Sequence, residues 1–285
     1  MNTLSPALIA EWVGREQSET DIANPRDAQR LAAALGRNAA PAVGEPLPAC
    51  WHWVLFQPLV PNNKLGPDGH PKTGEFLPVL PLPRRMFTGI EVETRAPLLL
   101  GDTIRRCSVI EAITPKEGKN GALVFVTMRH TWEGERSGLI VEKHSFVYRG
   151  NDLGKEKPAS PPSPASEPAW SWQEEIKADP VLVFRFTAAV FNAHRIHYDH
   201  AYATGVEHYA ERLVPGRLAA LLLLEALRRR TPRAVTRFAF QAKKPIWVGE
   251  TMILEGMSAE ADKIDLRVRV GLGASAMQAS AVLAS

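Results

Sequence analysis

The sequence predicts an α+β protein made of two tandem halves, each a helix wrapped by a curved antiparallel sheet. Three observations predict it. Two segments share one signature: RAPLLLGDTI (Arg95 to Ile104) and KKPIWVGETM (Lys243 to Met252) both read basic residue, Pro, three apolar positions, Gly, acid, Thr, at a constant offset of 148 residues. Each half also reads as helix signals followed by several strand-like segments, the ingredients of an α+β layer arrangement. Between them lies GNDLGKEKPASPPSPASEPAW, Gly150 to Trp170, rich in Pro, Ser and charge and nearly without aliphatic residues, which reads as an extended linker. The expected halves are 1–149 and 172–285, joined by a linker over 150–171.

The elements follow in order. SPALIAEWVG starts with Ser5 as N-cap and Pro6 at the first helical position. NPRDAQRLAAALG has Asn24 as cap, Pro25 in the first turn and Gly36 as a stop. Between Trp51 and Gly89 runs PNNKLGPDGHPKTGEFLPVLPLPRRMFTG, a Pro-rich stretch of little periodicity. Long ordered loops of this kind are often lids or binding loops. Strand-like alternation and β-branched residues mark FTGIEVETR, TIRRCSVIEAI, GALVFVTMRHTW and LIVEKHSFVYR in the first half. The second half repeats the pattern with VTRFAFQA, TMILEGMSA, DLRVRVGLG and SAMQASAVLA. Before these strands, DHAYATGVEHYAERL and GRLAALLLLEALRRR read as helices. The second is apolar on nearly every face and is expected to be deeply buried.

A chain of 285 residues makes one large domain or two ordinary ones, and its net charge is only +3. No basic stripe suggests nucleic acid, while a mild excess of Lys and Arg suits an acidic small ligand. The two cysteines, Cys50 and Cys107, sit in no CxxC and suggest a reducing compartment. No signal-peptide pattern is evident at the start. The longest apolar run, Leu218 to Leu227, is too short for a bilayer and is interrupted by Glu225, so no membrane span is expected. Together these predict a cytoplasmic protein.

Chemistry concentrates in FNAHRIHYDHAYA, Phe191 to Ala203. His194, His197, His200 and the nearby His208 are half of the chain's eight histidines, and Tyr198, Tyr202 and Tyr209 are three of its four tyrosines. This segment resembles the active segment of the MaoC-like hydratases and dehydratases, which have the hot-dog fold and the motif D-x-N-P-[LIV]-H-x-D followed by Ala. Ile196-His197 matches the aliphatic-His pair, Asp199 the later Asp, and Ala201 and Ala203 the small residues. The spelling FNAHRIHYD, the following LVPGRLAALLLL and PLPRRMFTG in the first half are similar to one branch of that superfamily. That branch holds the mitochondrial hydroxyacyl-thioester dehydratases and the bacterial mesaconyl-CoA and itaconyl-CoA hydratases, with two hot-dog halves in one chain. The resemblance covers most of the chain, the linker excepted.

The resemblance implies reversible addition of water to a 2-enoyl-CoA, with a short or dicarboxylic acyl group. The second half would be catalytic, the first non-catalytic and shaping the acyl tunnel. His197 would be the base, since imidazole titrates near neutrality. Gly216, which opens the apolar helix, would supply the backbone N–H that holds the enolate oxygen. Where the family has its catalytic Asp this chain has Asn192, and an amide is no general base, though it can orient a water. His194 and Arg195 replace the family's Asn and Pro and are candidates for substrate binding. Arg84 and Arg85, in the long loop's exit, suit phosphate or carboxylate, as do Lys243 and Lys244. Asp199 is expected to cap a helix, and His200, His208 and the tyrosines to be surface or packing residues. The spacing of His194, His197 and His200 does not put all three on one face and no cysteine lies nearby, so no metal is expected. No cofactor is implied beyond the coenzyme A of the substrate, and the partners expected are an acyl-CoA thioester and a second copy of the chain in a homodimer. Two other readings stay open: a hot-dog acyl-CoA thioesterase, which would need a carboxylate such as Asp199 near the buried helix, and a non-catalytic acyl-thioester binding protein, which the Asn192 departure favours.

Overall fold

The computed structural model describes residues 5–82, 84–118, 121–150, 170–271 and 275–285. The expected linker over 150–171 therefore lies almost wholly outside the described residues. Ten strands form one sheet, antiparallel at every pairing. The first half contributes β1 (Glu16–Ile22), β2 (Arg84–Ala96), β3 (Thr103–Gly118), β4 (Gly121–Gly134) and β5 (Leu139–Arg149). The second contributes β6 (Trp172–Lys177), β7 (Val235–Ala242), β8 (Thr251–Ser258), β9 (Lys263–Val270) and β10 (Met277–Leu283). The order across the sheet is β1-β3-β4-β5-β2-β7-β10-β9-β8-β6. Read from its far end, the second half has the order of the first with every label raised by five.

The repeat seen in the sequence sets the junction. Glu91 of β2 pairs with Ala239 of β7, its own equivalent at the 148-residue offset. Gly89 pairs with Gln241, the equivalent of Glu93, and Glu93 pairs with Arg237, the equivalent of Gly89. This register is what a local two-fold axis through Glu91 and Ala239 generates. The signature segments are also used alike. Gly101 and Gly249 both have positive φ, 89° and 101°, a conformation glycine adopts without strain. Their amides bond to the carbonyls of Ala23 and Ala178, which anchors the chain entering each half's first long helix.

Those helices are α2 (Pro25–Ala34), capped by Asn24 as expected, and α3 (Pro180–Ala189), capped by Asp179. α1 (Pro6–Trp12) has Ser5 as its cap, again as expected. α4 (His200–Gly205) is shorter than DHAYATGVEHYAERL suggested, because the chain turns away at His208, whose φ is 60°. α5 (Gly216–Arg228) is the wrapped helix of the second half, and every residue from Leu218 to Leu227 is buried. At roughly 1.5–3 kcal/mol for each fully buried leucine, this helix is a main anchor of the core. Glu225 is buried within it because Arg228 and the Trp51 indole N–H satisfy its carboxylate.

The first half departs from the expected helix. Leu47 N–H bonds Leu98 as Val214 N–H bonds Ile246, and Pro48 and Pro215 follow in turn. After Pro215 comes α5; after Pro48 comes only the 3-10 turn Trp51–Val54. The buried indoles of Trp51 and Trp53 fill volume that Leu and Ala fill in the second half. Both halves close around one shared apolar core, which runs from Ala23 and Leu31 through Trp53 and Ile90 to Leu221, Phe240 and Leu283.

Candidate active site

The site forms where α3 ends. Phe191 takes a left-handed conformation (φ 50°), which turns the chain sharply out of the helix. Asn192 holds the turn: its amide oxygen accepts the His194 N–H at 3.0 Å, and its own N–H bonds Thr187 at 2.8 Å. Arg195–His197 forms one 3-10 turn, and Asp199 then caps α4 by accepting the Tyr202 N–H at 3.0 Å. The second oxygen of Asp199 takes two donors from Arg195, at 3.0 and 2.8 Å. Asp199 is thus a cap and an ion-pair partner, as its position in the sequence suggested.

His197 is held at one end only. Its Nδ1 lies 2.8 Å from the Leu213 carbonyl, so Nδ1 carries the proton and Nε2 presents a lone pair. Burial pushes this imidazole down to about 4, against the bond to Leu213, which raises it. His197 is therefore neutral at physiological pH. Three residues beyond Leu213, Gly216 begins α5. No side chain caps that helix, and Pro215 O is taken by the amides of Leu218 and Ala219. The Gly216 and Arg217 amides are left pointing out of the helix end, where the partial positive charge is concentrated.

The long Pro-rich loop of the first half docks on this segment. Asp68 O accepts the Arg195 N–H at 2.9 Å, and Pro67 O accepts the Arg195 guanidinium at 3.0 Å. A side chain on Gly69 would meet the Ala193 carbonyl oxygen at 1.9 Å, so only glycine permits the approach. The loop brings His70 against His194, ring centroids 4.0 Å apart, and His194 in turn lies edge-on to His197 at 5.4 Å. His70 Nδ1 is 2.9 Å from Asp68 Oδ2. Burial works to raise the Asp68 carboxyl, but the His70 hydrogen bond and charge outweigh it and hold the group at about 2. Burial, with His70 and His197 close by, pushes His194 down to about 2. His194 and His197 lie side by side, but His200 is turned away and pairs with Glu211 at 3.5 Å. Asp68, His70 and His194 do offer ligand atoms within 4.8 Å of one another. With the Asp68 and His70 atoms already joined through a proton, the group is a hydrogen-bonded pair against a ring.

The other expected residues are placed as follows. Arg195, besides its bonds to Asp199 and Pro67, stacks on the Tyr202 ring at 4.1 Å, so its guanidinium clips the loop to the segment. Arg84 reaches across to Glu207, 3.5 Å from its carbonyl and 3.9 Å from its carboxylate. Arg85 lies over Phe146, and its charge is among those acting on His194. Lys243 is exposed and bonded to Gln241.

A second polar group, missed in the sequence, closes the far side. Arg217 extends toward the first half, its guanidinium 5.4 Å from the Trp53 ring and 3.3 Å from His144 Nε2. Behind it the fully buried Glu142 accepts from His52 Nε2 at 2.6 Å, from Trp53 Nε1 at 2.7 Å and from His144 Nε2. Burial opposes ionisation of Glu142, but His144 and His52 hold its carboxyl well below the ordinary range. A signal was available: Glu142 and His144 occupy the inward parity of β5, where Ile140 faces the core. Asp68 and His70 had only the turn-like spelling PDGHP to mark them.

Residues 50–248 match the model of the hydroxyacyl-thioester dehydratase type 2 family. A mesaconyl-C(4)-CoA hydratase of Chloroflexus aurantiacus is 38% identical over 282 residues, which span 98% of this chain and 99% of that protein. A mitochondrial hydroxyacyl-thioester dehydratase type 2 of Schizosaccharomyces pombe is 27% identical over 231 residues, 71% of this chain and 75% of that one. In fold the chain is similar to a MaoC-like dehydratase from Phytophthora capsici (TM-score 0.72, 16% identity, 99% of each chain). It is also similar to a Mycobacterium tuberculosis protein with a double hot-dog fold (TM-score 0.58, 14% identity, 95% of this chain and 96% of that one). With a matched family model over more than half its length and a 38% identical relative along almost all of it, this chain belongs to the type 2 hydroxyacyl-thioester dehydratases, hydro-lyases of the double hot-dog fold.

Proposed function

We propose that this enzyme hydrates a short 2-enoyl-CoA thioester reversibly, with mesaconyl-C4-CoA the leading substrate and itaconyl-CoA the second to try. One observation carries the reading. A single backbone segment holds His197 through Leu213 O and, three residues later, opens α5 at Gly216. Base and oxyanion donor are thus fixed relative to each other. His197 Nε2 removes a proton from water, and the resulting hydroxide adds to the β-carbon. The thioester oxygen, negative in the enolate, rests on the Gly216 N–H. The α-carbon then takes a proton, so the elements of one water are added in total.

Asn192 Oδ1 accepts the His194 backbone N–H, and an amide cannot take the proton that the family's carboxylate would. His197 can return its own proton. The pair Asp68–His70, whose imidazole lies tilted against His194, is the second acid–base group within this geometry and is assigned the proton exchange with solvent. A thioesterase would need a carboxylate free to attack or to activate water, and Asp199 is held by Arg195 and by the cap of α4. The same reading includes a homodimer in the cytoplasm. Exposed Val181 and Phe184 on α3 support the first, and the free thiols of Cys50 and Cys107 the second. No helix among the described residues is long and apolar enough to cross a membrane.

The test is incubation with crotonyl-, mesaconyl- and itaconyl-CoA, following loss of the conjugated-enoyl absorbance and the mass of the water adduct. His197→Ala is expected to lower turnover by about 10²–10⁴-fold. Release of free coenzyme A would replace this reading with the thioesterase. Binding without any product would replace it with the non-catalytic protein.

A further inference from the structure

We propose that Arg217 is the receptor for a carboxylate carried on the acyl group, which makes enoyl thioesters of dicarboxylic acids the preferred substrates. The proposal rests on the hydratase reading and deepens it. Arg217 directly follows Gly216 in the first turn of α5. Its neighbours Trp53, His144 and Glu142 are all buried, while Arg217 itself is only partly so. A side chain more accessible than the groups around it faces accessible space rather than the core.

Among the described residues the guanidinium meets no carboxylate or carbonyl oxygen, and its one polar neighbour is His144 Nε2. Glu142 is ionised and takes three donors, and an imidazole nitrogen can face a carboxylate only as N–H. His144 Nε2 therefore carries a proton and has no lone pair to offer Arg217, 3.3 Å away. Among the described residues, Arg217 forms no ion pair. Burial draws its pKa down and the Glu142 charge opposes this, but an arginine stays charged under either influence. The result is a half-buried cation whose fork of N–H groups meets no carboxylate among the described residues, backed by a Glu142 network that holds His144 and Trp53 in place. Such a fork matches a carboxylate in two parallel bonds.

Position fits chemistry. In a mesaconyl C4 thioester the free carboxylate sits on the β-carbon, three bonds from the thioester carbonyl carbon. With the carbonyl on the Gly216 amide, that carboxylate lies only a few bonds away, within the span of an arginine side chain on the next residue. Beside it Trp53, Phe240 and Phe87 are packed ring against ring.

The experiment compares kcat/KM for mesaconyl-C4-CoA and for crotonyl-CoA, which has the enoyl thioester without the carboxylate. It uses wild type, Arg217→Met and Arg217→Lys. Wild type is expected to favour mesaconyl-C4-CoA. Arg217→Met should lower the mesaconyl-to-crotonyl ratio by about 30-fold or more, in line with removal of one partner from a buried charge pair. Arg217→Lys, which keeps the charge without the fork, should restore part of the ratio. Crotonyl-CoA turnover by each sample reports that its site is assembled. An unchanged ratio in Arg217→Met, even with both activities reduced, overturns the inference and leaves the hydratase standing. Wild type that hydrates neither thioester overturns the hydratase reading and this inference with it.

Discussion

At His197 two effects oppose each other. Burial disfavours the imidazolium, while the Leu213 carbonyl, accepting from Nδ1, favours it, and burial wins. The sign of the consequence follows. A base must be neutral to accept a proton, so a group titrating at about 4 is competent above that pH and is lost as pH falls through it. The acid limb of kcat/KM, measured with an enoyl-pantetheine thioester that has no phosphate to titrate, is expected near pH 4. A limb near 6.5, the ordinary histidine value, would remove His197 from the role of base. The Asp68–His70 pair yields a second expectation at this scale. Asp68→Asn takes away the anion that orients the His70 ring, and kcat should fall roughly 10–100-fold with KM little changed. Exchange of the α-hydrogen with deuterated solvent should fall alongside kcat. Exchange and kcat both at the wild-type level would leave the pair a purely structural clip. Of these residues His197 is singled out in the sequence by flanks that resemble a known motif. Asp68 and His70 are not, because their meaning comes from contact with His194, which lies in the other half of the chain.

Elements were legible in proportion to how sharply they divide a buried face from an exposed one. β5 and β7 match the expected segments to the residue, since apolar and polar positions alternate in both. β1, EQSETDI, and β6, WQEEIK, escaped notice because each is an outermost strand of the sheet with few apolar side chains to bury. α3, PVLVFRFTAA, was missed for a different reason. It is apolar on several sides, with Val181 and Phe184 exposed, and its Val and Phe content blurs a helical pattern. The docked loop is the element on which the site depends most directly, and Gly69 is its point of closest approach. Gly69→Ala adds a methyl 1.9 Å from the Ala193 carbonyl oxygen at a residue whose φ is 89°, so the loop must lift. Activity should fall at least about 10-fold, while the melting temperature changes little because the loop tip buries little apolar surface. Faster tryptic cleavage after Lys64 and Lys72, both exposed in this loop, would report the lifting itself. Wild-type cleavage together with wild-type activity would show that the contact is dispensable.

For the whole molecule the question is whether the two halves are separable. The repeated signature and the proline-rich segment between the halves invite a picture of two domains on a tether. The sheet and core point the other way. β2 and β7 join the two five-stranded halves edge to edge, with five residue pairs in register, from Gly89–Gln241 to Glu93–Arg237. The main apolar core draws on both halves, with Trp51, Trp53 and Ile90 packed in the same cluster as Leu218, Leu221 and Phe240. The first half lacks a long wrapped helix, and the Trp51 indole N–H bonds Glu225 of α5. Losing either half would expose the other's share of this core, at about 25 cal/mol for each Å² of apolar surface. The full chain is therefore expected to unfold in one cooperative transition, with calorimetric and van't Hoff enthalpies in agreement. A substitution in one half, such as Trp53→Ala, should lower the single melting temperature without splitting it, at a cost of about 3–5 kcal/mol for a buried aromatic. Two resolved transitions, only one of them shifted by Trp53→Ala, would show that the halves fold independently and that the site is assembled by docking afterwards.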